Sequence, residues 1–138
     1  MPADDVEKAE VLYTDVFNAV LNSHYTNDAD LKAKAKQILD ASLNEDGTLK
    51  DGKEMTVTKK DGNSVYTVVT ILAQQGSKNV PYGITSEELA NMLANKDKVI
   101  VNVDATTKKT ATNLAVGAVK KGDKIYVAIA MTKDMKLK

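Results

Sequence analysis

Few side chains in this 138-residue chain are equipped for chemistry, and their spacing decides what each can do. His24 is the one histidine. An imidazole needs further ligands to hold a metal, or a nucleophile and an orienting acid to act as a base. Ser23 adjoins it, but neighbouring side chains on a helix point about 100° apart and do not face each other. His24 therefore reads as a surface histidine at a helix end, where the dipole stabilises its charged form. Glu87 and Glu88 are an adjacent acid pair of the kind a hydrolase uses for proton transfer. Thr85, three residues before Glu88, makes a capping box that accounts for Glu88 without catalysis. Asn27, Asp28 and Asp30 are laid out like the start of a calcium loop, but the sixth position from Asp28 is Ala33 where glycine is required, which leaves helix capping. In "NEDGTLKDGKE", Asn44, Asp46, Thr48, Asp51 and Glu54 offer oxygens. The glycine falls fourth from Asn44 instead of sixth, so a plain loop is the main reading and a weak calcium site the alternative. No Gly-x-Ser-x-Gly, P-loop or dinucleotide fingerprint is present. The expectation is no catalytic residue, no metal site and no cofactor.

Composition narrows the partners. Basic and acidic residues balance at 19 each, which argues against a nucleic-acid binder working by net charge and against a polybasic membrane anchor. Every basic residue is lysine, so the planar arginine fork that clamps carboxylates and phosphates is missing. Phe17 and the tyrosines Tyr13, Tyr25, Tyr66, Tyr82 and Tyr126 do not interleave with lysines into a stacking platform for bases. The absence of cysteine excludes disulfides, thiol nucleophiles and zinc-thiolate sites. No apolar run approaches the roughly 20 residues that span a bilayer. The opening "MPADDVEKAE" is charged almost at once, which fits a start placed after a removed signal segment.

The elements that must position these residues follow from periodicity. Val6, Ala9, Leu12, Tyr13, Val16, Phe17 and Val20 form one apolar stripe, a helix over 4–25. Asn27 or Asp28 caps a second helix over about 29–43, with Leu31, Ala35, Ile38, Leu39 and Ala41 inward. "EMTVTKKDGNSVYTVVTILAQQG" reads as a hairpin about Asp61-Gly62, yet Val65, Val68, Val69 and Leu72 also keep helical spacing. Thr85 and Glu88 open a helix to about Asn95, with Ile84 and Leu89 as its hydrophobic staple and Met92 and Leu93 inward. "VIVNV" (99–103) reads as a short strand. "TNLAVGAV" and "KIYVAIAMT" read as a hairpin joined by "KKGD", with Ile125, Val127, Ile129 and Met131 on one face. Helices first and a sheet after them give an α+β domain over 1–138, helices covering an antiparallel sheet.

Three of these stretches together resemble the CAP superfamily, in its bacterial SCP-like extracellular branch. "TNLAVGAVKKGDKIYVAIAM" is similar to the family's final hairpin, with Val116-Gly117 on its V-G core and Ile125-Tyr126-Val127 on the last strand. "SKNVPYGITSEELANML" is similar to "GENIAyG-x-t-x-eevvxxW", matching at Asn79, Val80, Gly83, Thr85, Glu87 and Glu88. "VFNAVLNSHYTNDADLKAKAKQIL" resembles the first two helices at Asn18, Leu31 and Ala35. The likeness spans about residues 6 to 132 and implies an α–β–α sandwich, with helix over 64–75. It also implies a cleft that normally holds two histidines and two acidic residues. The chain departs at each of those landmarks. The glutamate of "GENI" falls on Lys78, the histidines near Val57–Thr58 and Val99–Ile100, and the tryptophan on Met92 or Leu93. The resemblance thus implies the scaffold without its cleft chemistry.

The expected function is a secreted or cell-wall-associated, non-enzymatic binding or structural module without a metal site. Its ligand is an unknown extracellular or surface partner, and Lys78, Asn79 and Tyr82 are the binding positions by resemblance alone. A small hydrolase working through carboxylates, and a soluble carrier of a small apolar ligand, are the alternatives. They differ in needing an acid–base pair within hydrogen-bond reach, or a closed apolar cavity of a few hundred Å3.

Overall fold

The computed structural model describes residues 4–137. Helix α1 (Asp5–Leu21) starts at Asp4, whose carboxylate accepts from the Glu7 backbone N–H at 2.8 Å. It stops short of the expected residue 25 because Asn22 turns left-handed, φ 53°, a conformation that asparagine tolerates. Asn18 then fastens the exit. Its amide donates to the Tyr25 carbonyl and accepts from the Tyr25 N–H and the Ser23 hydroxyl. Helix α2 (Ala29–Ser42) is capped by Asp28, which accepts from Leu31 N–H. Asn27 instead reaches across to accept from Val116 N–H at 2.8 Å.

Strands β1 (Thr56–Lys60) and β2 (Val65–Ile71) form the hairpin about Asp61-Gly62. The helix that the resemblance implied over 64–75 is therefore corrected to strand. Branched side chains lose rotamer freedom on a helix and pack well on a pleated surface. A small separate hairpin follows, β3 (Ala73–Gln74) and β4 (Ser77–Pro81), turning at Gly76 with φ 80°. Strand β5 (Ile84–Thr85) leads into α3 (Ser86–Ala94), which carries the full Thr85/Glu88 capping box. Residues 99–103 were expected as a strand, but they pair with no strand of the described residues. Helix α4 (Ala105–Thr110), unforeseen, starts at Asp104, which accepts from Thr107 N–H. Strands β6 (Ala111–Lys121) and β7 (Lys124–Asp134) close the fold as the expected hairpin around Gly122-Asp123.

Strand β7 is the centre of a five-stranded antiparallel sheet. It pairs with β6 along one side and with β2 and then β5 along the other, and β1 lies outside β2. Alternation on β6 and β7 sorts the core into two halves. Leu114, Val116, Ala118, Ile125, Val127, Ile129 and Met131 pack with Ala9, Leu12, Tyr13, Val16 and Phe17 of α1 and with Leu89 of α3. Ala115, Tyr126, Ala128 and Ala130 pack with Leu31, Ala35 and Leu39 of α2. The two long helices therefore lie on opposite faces of the sheet, an α+β fold layered α–β–α. Both faces of β7 being covered explains why Ile125 to Met131 is an unbroken buried run.

The outer edge of β6 is clamped from both faces at once. Glu10 of α1 is 4% exposed, and its Oε2 accepts from the Ala118 backbone N–H at 3.0 Å. Lys36 of α2 donates from Nζ to the Ala118 carbonyl at 2.9 Å and to the same Glu10 oxygen at 3.0 Å. With Asn27 on Val116, edge backbone groups that a strand would otherwise pair are met by side chains. Gly117 makes this approach possible, since a Cβ there would lie 2.9 Å from the Lys36 backbone nitrogen.

Candidate functional site

Helix α1 packs chiefly on β6 and β7, and the same face of β2 is left partly open. There Val68 is half-buried and Thr70 exposed. The result is a groove of about 880 Å3. Its lining includes Val68 and Thr70 from β2, Ile129 and Met131 from β7, and Tyr13 and Phe17 from α1. The irregular segment from Ile100 to Asp104 contributes a further side, and Gln74 and Gln75 come from the turn of the small hairpin. A neighbouring depression of about 300 Å3 shares Tyr13, Tyr82 and Ile100 with it.

The polar groups of the groove are few and differ in their commitments. Its charged lining residues, Asp104 and Lys133, both act on Thr107. Asp104 accepts from Thr107 N–H at 2.7 Å, and Lys133 Nζ donates to Thr107 Oγ1 at 2.8 Å. The bond from Thr107 holds the Asp104 carboxyl below its ordinary range, so it stays ionised and occupied. Tyr82, half-buried, donates its hydroxyl to Glu88 Oε2 at 3.2 Å, and burial followed by the Glu88 charge pushes its pKa up. Tyr13 is 3% exposed, and its hydroxyl makes no hydrogen bond to a described residue. No buried side-chain nitrogen or oxygen of the described residues lacks a partner, so the Tyr13 hydroxyl keeps some exposure, and Tyr13 lines both the groove and the neighbouring depression. Burial, with Tyr82 close by, raises its pKa, and it remains a neutral donor at physiological pH.

The residues singled out in the sequence are scattered. Tyr82 lines the groove, while Lys78 and Asn79 sit exposed on β4 and are not part of that lining. Glu88 is engaged by Thr85 and Tyr82, which hold its pKa down, and Glu87 is exposed. His24 is exposed in the loop after α1. Asp46 accepts from the Thr48 N–H and hydroxyl, and Asn44 donates to Thr48, so this loop closes on itself. Among the described residues no group of three or more His, Asp or Glu side chains gathers so as to hold a metal ion. Of the CAP landmark positions, Val99 and Ile100 and Met92 border the smaller depression, whereas Val57 and Thr58 lie on exposed β1.

Sequence reasoning placed Tyr13 in the core stripe of α1, where its apolar body does pack. That a tyrosine, not a phenylalanine, occupies the position was the available signal, since a buried hydroxyl asks for a partner. Comparison of the chain with protein-family models, with curated proteins and with solved structures finds no match in any of the three.

Proposed function

We propose that the protein is a non-enzymatic binding module with the CAP-like order of elements, working outside the cell or at its surface, and that the groove beside β2 receives its ligand. The observation that carries this reading is the groove itself. At about 880 Å3 it falls in the range of ligand sites, and its apolar lining is punctuated by a few polar groups that can orient an occupant. Two of the acids near the groove are committed elsewhere, and Glu87 is exposed on α3 outside its lining. Asp104 caps α4, and Glu88 is held ionised by Thr85, which suits an acceptor and not a proton donor. The groove is partly open to solvent, which favours a binding surface over the sealed cavity of a small-ligand carrier.

The test is titration with the fluorescent dye 8-anilinonaphthalene-1-sulfonate, comparing the native chain with Thr70→Trp, which fills the groove from an exposed position. Saturable binding that weakens at least tenfold in Thr70→Trp, with unchanged melting, is the expected result. Equal binding by both proteins would remove the groove as the site. Turnover of a chromogenic ester that disappears in Glu88→Gln would replace the reading with the hydrolase.

A further inference from the structure

The side of the groove formed by residues 99–104 has the form of a strand without a neighbour. Val99, Val101 and Val103 are half-buried against the core, and Ile100, Asn102 and Asp104 are exposed, the alternation of extended backbone. Val99 N–H is used by the Lys96 carbonyl, and the Asp104 carbonyl by Lys108 N–H. Between them, the backbone groups of Ile100, Val101, Asn102 and Val103 bond to no described residue. Ile100, 83% exposed, is the most exposed large apolar side chain of the described residues, and it borders both depressions.

We infer that the groove's ligand is a peptide chain in extended conformation, which pairs its backbone with residues 100–103 and takes a hydrogen bond from the Tyr13 hydroxyl on one of its carbonyls. This rests on the groove being the binding site. Four residues of strand run about 13 Å, which matches a peptide segment of about four to six residues. Addition of a strand to free backbone draws affinity from main-chain bonds, and alternate side chains enter the adjoining pocket. An aliphatic chain would leave both the backbone row and the tyrosine unanswered, whereas a peptide offers donors and acceptors at the strand repeat. The groove's two charges are opposite in sign and both engaged at Thr107, so the segment it suits is uncharged, with small apolar side chains toward Val68 and Met131.

The experiment is a titration of the 15N-labelled native chain with a pool of acetylated, amidated hexapeptides randomised over Ala, Val, Leu, Thr, Ser and Asn. A second pool is N-methylated at alternate peptide bonds. The expected result is movement of the Ile100–Val103 and Tyr13 resonances and at least tenfold slower exchange at alternate amides of 100–103. Affinity should fall at least tenfold with the methylated pool, and severalfold in Tyr13→Phe at unchanged melting temperature. Equal binding of the methylated pool would overturn backbone pairing while leaving the groove as a binding site. Unchanged affinity in Tyr13→Phe would overturn the part given to that hydroxyl. If the pool moves no groove resonance while the dye still binds there, the ligand class is wrong; if neither binds, the binding-module reading fails with it.

Discussion

Replacing Glu10 by alanine tests the double clamp on β6. The carboxylate is almost fully buried and accepts two bonds at 3.0 Å, one from the Ala118 N–H and one from Lys36 Nζ. Alanine leaves that N–H without an acceptor in a place water does not easily enter, which costs about 1–3 kcal/mol. The ion pair adds less than about 1 kcal/mol, because the Lys36 side chain is 39% exposed and recovers hydration when its partner goes. The expected loss is about 3 kcal/mol. For a chain of 138 residues the unfolding entropy is about 0.3 kcal/mol per kelvin, so the melting temperature should fall by about 10 °C. Glu10→Gln keeps an acceptor for Ala118 and should cost about 1 kcal/mol. Urea denaturation of native, Glu10→Ala, Lys36→Met and the double variant gives the coupling, expected near 0.5–1 kcal/mol. Amide exchange at Ala118 should accelerate in Glu10→Ala and stay slow in Glu10→Gln. A Glu10→Ala protein within 0.5 kcal/mol of native, with Ala118 still protected, would refute the claim that this carboxylate satisfies the strand edge.

Gly117→Ala should destabilise by about 2 kcal/mol, because the added methyl meets the Lys36 backbone nitrogen at 2.9 Å and the Ala35 Cβ at 3.0 Å; chemical denaturation reads it, and a neutral substitution would mean that α2 lies farther from β6. Thr85→Ala should cost on the order of 1 kcal/mol and Glu88→Ala somewhat less, measured as lost exchange protection over residues 86–93. Val127→Asp, placing a charge at a fully buried position, should cost several kcal/mol, and a variant that melts normally would contradict the register of β7. Hydrogen bonds from Thr85 and from Thr107 hold Glu88 and Asp104 below their ordinary values of 4.5 and 3.8. Their contribution to stability is therefore complete above those values and declines as pH falls through the lowered folded-state values. Melts from pH 6 to pH 3 should show that decline, shallower in Glu88→Gln, and a melting temperature that rises on acidification would reverse the assigned sign.

Local chemistry was the most legible part of the sequence. The Thr85/Glu88 box and the Gly122-Asp123 turn need only residues close in the chain, and both stand where the sequence places them. The alternation of Ile125, Val127, Ile129 and Met131 likewise names the face of β7 that packs on α1, while the residues between them, also buried, face α2. Alternation over 99–103 misled, because a half-buried extended segment produces it whether or not a partner strand exists. Asn22 ends α1 through its own backbone conformation, which hydrophobic spacing does not record. Helix α4 is rich in threonine, a weak helix former, and depends on the Asp104 cap. The groove was illegible because it arises from where α1 sits relative to β2, a relation between segments about fifty residues apart. Of the three positions taken from resemblance, Tyr82 lines the groove, and Lys78 and Asn79 are exposed on β4 outside that lining.

The two ends of the sheet are finished differently, and that limits how copies of the chain can join. Strand β6 is clamped by Glu10, Lys36 and Asn27, so it offers an incoming strand few free groups at Val116 to Ala118. Strand β1 is exposed throughout and carries Lys59 and Lys60 at its end. A fibril needs two sticky edges per subunit, one to receive and one to offer. Within this sheet β1 is the more open of the two outer strands, so association edge to edge through the sheet favours a closed two-fold pair of β1 strands. Glu10, Lys36 and Asn27 thereby cap the middle of β6 against an incoming strand, a form of protection built from the two helices and the loop between them.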